Sequence, residues 1–141
     1  MQTMQQKRAK YALEQVEKAV SDKVNQKEFK AYAANLPAMI HINGLGQAAA
    51  FFKSKGNGTD SKAIAHERLY TILSNWLCGK IDYASTQPYS ACNDLLEGIT
   101  TKDMQQYRVA QAEAQALMDW VKKFAKAFMD GGDDKNEAED K

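Results

Sequence analysis

Apolar residues recur at three- and four-residue intervals along most of the chain, the spacing that lines one face of an α-helix. From Met4 to Asp22, Ala9, Ala12, Leu13, Val16, Ala19 and Val20 fall on one side, with Lys7, Lys10, Glu14, Glu17 and Lys18 opposite. This predicts a first helix, reinforced by Lys10–Glu14 and Glu14–Lys18 pairs one turn apart. A second helix is expected from about Lys27, with Phe29, Tyr32, Ala33, Leu36, Ile40 and Asn43 in register through Pro37. A proline inside a helix removes a backbone donor, so a kink is expected there, with the carbonyl of Ala33 freed. Ala31, Asn35, Ala38 and Ile42 line the other face with mostly small side chains, which allow another helix to come close.

Asn43–Gly44 reads as a helix C-terminus. A third helix follows over Leu45–Lys53, with Leu45, Ala48, Ala49 and Phe52 inward. Lys55–Thr59, with its two glycines, is a loop, and Asp60 or Ser61 caps a fourth helix. That helix carries Ala65, Leu69, Ile72, Leu73, Trp76 and Leu77 on one stripe and stops at Gly79. After a connection of undefined shape from Ile81 to Pro88, a short helix has Cys92, Leu95, Leu96 and Ile99 on one side. Thr100 with Asp103 resembles a capping box for the last helix. Its stripe is Tyr107, Ala110, Ala114, Leu117, Met118, Val121, Phe124, Ala125 and Phe128, ending near Met129. The expectation is an all-α bundle of about six helices, the first and last of them long, with no sheet and no internal repeat.

Composition sharpens this picture. At 141 residues the chain is sized for one domain. The formal charge of +1 conceals an asymmetry. Residues 130–141 hold six acids and two lysines, so residues 1–129 carry a net +5. The expected organisation is a mildly basic helical domain, 1–129, and a disordered acidic tail, 130–141. No apolar run nears the roughly 20 residues that span a bilayer, and Met1–Lys10 lacks a signal-peptide core. A cytoplasmic protein without membrane contact is expected. Cys78 and Cys92 read as reduced, partly buried thiols. With His41 and His66 the only histidines and no CxxC spacing, no metal site is expected.

Candidate chemistry is sparse. Gly44–Ala49 has the GxGxxA form of a dinucleotide-binding turn before a helix. Such a turn needs several parallel strands behind it, and no second or third buried strand is evident, so a helix–turn–helix joint is the better reading. Glu113 flanks the last core stripe and is expected to be a half-exposed partner for a basic residue. His66 is expected at the surface. No catalytic centre emerges, and neither an enzymatic role nor a cofactor is expected. What remains is charge: Arg108, Lys122 and Lys126 lie within about 40° of one another on the last helix, at 100° per residue. Gln111 and Gln115 share that face and Asp119 interrupts it. Such a row suits phosphates. Lys7, Arg8 and Lys10, and the Lys53–Lys55 pair, are weaker RNA-backbone candidates.

Three stretches together resemble the small subunit of the type III-B CRISPR effector, the Cmr complex. They are Ala9, Ala12 and Val16; the run from Leu36 to Gly56, with Leu36–Pro37, Gly44–Leu45, Gln47, Ala50 and Phe51; and the last helix, with Tyr107, Arg108, Glu113, Ala114, Ala116, Leu117, Trp120, Lys122, Phe124 and Ala125. The resemblance spans roughly residues 5–129 and departs at His41, at Lys80–Pro88 and in the tail. It implies an all-α, non-catalytic subunit. Copies stack into an inner filament against the Cmr backbone and large subunits, beside CRISPR RNA and target RNA, and support antiviral RNA interference. A helical adaptor without nucleic-acid contact is the alternative. Ala31, Asn35, Ala38 and Ile42 are the protein-contact candidates, the alternative being that the chain's own fourth or last helix fills that face.

Overall fold

The helical spacing resolves, in a computed structural model that describes residues 1–130, into six α-helices. They are α1 (Met4–Ser21), α2 (Gln26–Asn43), α3 (Leu45–Lys55), α4 (Ser61–Leu77), α5 (Leu95–Thr101) and α6 (Met104–Phe128). A 3₁₀ turn, Asp82–Ala84, lies in the connection after α4, and no strand occurs among the described residues. Residues 131–141, most of the expected tail, lie outside the described residues.

Polar side chains set where these helices begin. Thr3 and Gln6 form a reciprocal capping box, while Asn25, Asp60, Asp94 and Asp103 each accept a backbone N–H of the helix that follows. The cap of α6 is therefore Asp103 itself. Thr100, expected to share that role, lies inside α5 and donates its hydroxyl to the Leu96 carbonyl at 2.7 Å. The α2–α3 joint needs a left-handed residue, and Gly44 supplies it at φ +89°. Gly79 does the same after α4 at φ +65°, where an added Cβ would lie 2.5 Å from the Ser85 carbonyl oxygen.

α1 and α6 run parallel, and α2 runs antiparallel to both. Arg8 pairs with Glu113 at one level, while Gln26, just beyond α1, accepts the Asp130 backbone N–H at the other. Pro37 leaves α2 continuous, and its carbonyl accepts from Gln115 Nε2 at 2.9 Å. α3, α4 and α5 close the opposite side. The core stripes of α3 and α4 are buried as spaced. Trp76 sits fully buried at the centre, stacked on Tyr11 at 5.0 Å, and Tyr11 donates to the Ile72 carbonyl at 2.7 Å. Phe128, expected in the core, is 58% exposed. Ala125 and Met129 on the same turn are buried against α2, so Phe128 sits at the edge of the stripe, stacked on Phe124 and turned to solvent.

Candidate nucleic-acid and protein interfaces

On α6 the side chains of Arg108 and Lys122 are exposed and form no ion pair with another described residue; Lys126 is exposed on the same line. At 1.5 Å per residue the row extends about 27 Å along the helix. Asp119 lies exposed between Arg108 and Lys122. The two glutamines expected on this face serve another purpose. Gln111 Oε1 accepts from the Leu45 N–H at 2.9 Å and Gln115 binds the Pro37 carbonyl, so both amides tie α6 to the α2–α3 joint. The cation row thus runs along the seam between α6 and α2.

The weaker candidates divide. The Arg8 guanidinium is held by both Glu113 carboxylate oxygens and is only 17% exposed, so its charge is committed inside the protein. Glu113, 12% exposed, also accepts from Trp76 Nε1 at 2.9 Å. It is a partner for a basic residue, as expected, but a nearly buried one that joins α1, α4 and α6. Lys7 is half-buried. Lys10 lies over the Tyr83 ring at 4.4 Å, Lys53 over Tyr70 at 4.9 Å and Lys55 over Phe51 at 5.6 Å, each leaving its ammonium near the surface.

The stripe on α2 faces directly away from the core. Asn35, Ala38 and Ile42 are exposed, Ile42 at 76%, and Ala31 is half-buried. No other helix of the described chain covers it. A large aliphatic side chain in water beside small ones is what a packed helix partner would cover.

The glycine turn has no room for a pyrophosphate. The Leu45 N–H is taken by Gln111, the Gly46 N–H donates to the Tyr107 hydroxyl at 2.8 Å, and helices lie on both sides. Among the described residues no three His, Cys, Asp or Glu side chains gather as metal ligands, and no helix is long and apolar enough to cross a membrane. Cys78 and Cys92 are both free and fully buried, deeper than expected. Burial pushes the Cys78 thiol up to about 11, with the nearby Cys92 and Asp94 charges adding to the rise.

His66 was expected at the surface and is buried. It stacks on Tyr32 at 3.9 Å with Phe52 edge-on at 5.0 Å, and its Nδ1 lies 2.8 Å from the Lys62 carbonyl. Aromatics at 29, 32, 51 and 52 on two adjoining helices were the signal that this part of the surface is apolar.

A family profile described as "CRISPR-associated protein (Cas_Cmr5)" matches residues 4–128, essentially the whole bundle. A protein named "CRISPR system Cmr subunit Cmr5" from Thermus thermophilus is 28% identical over 130 residues, covering 92% of this chain and 99% of the relative. The match takes in α1 through α6, including the α2–α3 joint and the cation-bearing last helix. The chain belongs to the Cmr5 family of CRISPR-associated proteins.

Proposed function

We propose that this protein is a non-catalytic small subunit of a type III-B CRISPR effector, and that copies of it stack to line the channel that holds target RNA. The observation that carries this reading is the division of labour on the surface. Most apolar residues of the helices pack into one core, leaving an outward stripe on α2 fit for docking and a cation row on α6 fit for phosphates. The two lie side by side, so a copy docked through α2 would present its α6 cations along the same edge of a stack. Contacts of this kind position a strand without reading its sequence. Two phosphates neutralised per copy, by Arg108 and Lys122, give a log–log salt slope of about −1.4 on single strands. One copy therefore binds weakly and several in a stack bind through multivalency. The Cmr backbone and large subunits and the CRISPR RNA are the remaining partners on this reading, and cleavage chemistry belongs to the neighbours.

The test is Arg108→Glu with Lys122→Glu in the assembled complex. Target-RNA capture is expected to weaken and its salt dependence to flatten, while the melting temperature of the isolated subunit is kept. Capture unchanged across a salt titration removes the α6 row from the channel. One observation favours the alternative, an adaptor that never touches RNA: Gln111, Gln115 and Arg8 all bind within the protein. Lysine–RNA crosslinking in the assembled complex separates the two, because an adaptor yields no adducts.

A further inference from the structure

On the flank of α2 away from α6 lies a cavity of about 480 Å³, within the size range of small-ligand sites. Its walls are Tyr32, Phe51, Phe52 and His66, and its rim carries Asn35, Lys55, Lys62 and Asp60. From these groups we infer a second binding site: a pocket for one unpaired nucleobase together with its phosphate. It is separate from the α6 row, shares Asn35 with the outward stripe of α2, and does not depend on the function proposed above.

The argument starts with the rings. His66 and Tyr32 stack face to face, and Phe51 and Phe52 stand edge-on to the imidazole at 6.2 and 5.0 Å. Phe51 is 41% exposed, so part of its ring is offered to whatever enters. Every base has a π-face, which makes such walls tolerant of sequence. The polar groups then suit a base edge. A carbonyl only accepts, so the Lys62 carbonyl takes the hydrogen on His66 Nδ1, which leaves Nε2 as the ring's other polar atom. The Asn35 amide, exposed on the rim, supplies both a donor and an acceptor. Last come the charges. Lys55 and Lys62 outnumber Asp60, whose carboxylate already accepts the Ala63 N–H at 2.9 Å. An anionic phosphate at the rim is thereby favoured.

A second hollow of about 460 Å³ adjoins the first, shares Tyr32 and Lys62 with it, and adds Lys27 and Glu28. Lys55, Lys62 and Lys27 thus border the two hollows against Asp60 and Glu28, a net positive rim beside aromatic walls that suits a strand with a base turned inward. A free mononucleotide offers the same base and phosphate, so the experiment includes both sources.

The isolated full chain is titrated by NMR with AMP, with a mixed-sequence RNA hexamer, and with the same hexamer made abasic. Shifts centred on Tyr32, Phe51 and His66 are expected with the hexamer and lost with the abasic strand. An AMP affinity equal to that of the hexamer assigns the pocket to free nucleotides; tighter binding of the hexamer assigns it to a strand. Phe51→Ala, at a half-exposed position the core does not need, is expected to weaken binding about tenfold. Lys55→Gln with Lys62→Gln should reduce the hexamer's salt slope by up to about 1.4. Equal binding of the abasic strand, no response to Phe51→Ala, or no shift at these residues with either ligand each overturns the inference.

Discussion

Glu113 shows what a single side chain can decide in this protein. One carboxylate joins three helices, accepting from Arg8 on α1 and Trp76 on α4 while rooted in α6. Removing it leaves a guanidinium with little solvent and no partner, a larger loss than the bond itself is worth. Glu113→Ala is therefore expected to lower unfolding stability by about 3 kcal/mol in urea denaturation. Arg8→Met combined with Glu113→Gln should recover much of that, since the orphaned charge is gone. A loss below about 1 kcal/mol for the single variant would mean that water solvates the pair. The sequence marked Glu113 as a partner for a cation, but the partner lies 105 residues away. Periodicity reports which way a residue points on its own helix and nothing about what it meets. Gln111 and Gln115 slipped past for the same reason: two amides on a polar face look solvated until the carbonyl and N–H they bind are known.

At the scale of the element, spacing served well. All six helices and the buried stripes of α3 and α4 follow from it, because an apolar face in a small domain has one place to go, while on α1 Ala12, Val16 and Ala19 are buried and Ala9, Leu13 and Val20 only half-buried. It failed at the edge of a stripe, as at Phe128, and where one residue is both aromatic and polar. Tyr11 and His66 are buried through specific hydrogen bonds and stacking, which hydropathy does not register. The outward stripe of α2 was visible as a row of small residues, yet only the structure shows that no other helix of the described chain covers it. Ala38→Arg on that stripe places a long cation in open solvent and should leave the isolated subunit's melting temperature unchanged. It is expected to reduce incorporation into the assembled complex at least tenfold, read by co-purification. Full incorporation would move the docking surface elsewhere.

Across the whole molecule, buried hydroxyls and thiols fix the alkaline limit of stability. Burial raises the Tyr89 phenol from 10.0 to about 12 and the Cys78 thiol from 9.0 to about 11, and it also raises Tyr11, Tyr70 and Tyr83. The folded state keeps these protons at pH values where the unfolded chain sheds them. Their stabilising effect is thus fully present below about pH 9 and is lost as pH rises towards 11 and 12. The urea midpoint should hold steady from pH 7 to 8.5, then fall by pH 10.5, with Cys78→Ala flattening the first part of the decline. An unchanged midpoint at pH 10.5 would show that the interior hydrates on ionisation.

The parallel embrace of α1 and α6 also bears on how the protein is made. The two helices most distant in sequence are each other's main support, and α2 leans on α6 as well. Until the last of them leaves the ribosome, α1 lacks its main packing surface, and the closure that joins the two spans about a hundred residues. The core therefore cannot seal until α6 has been made. A nascent chain stalled before Met104 would hold an open half-bundle, a natural client for chaperones or for an early grip by its assembly partners.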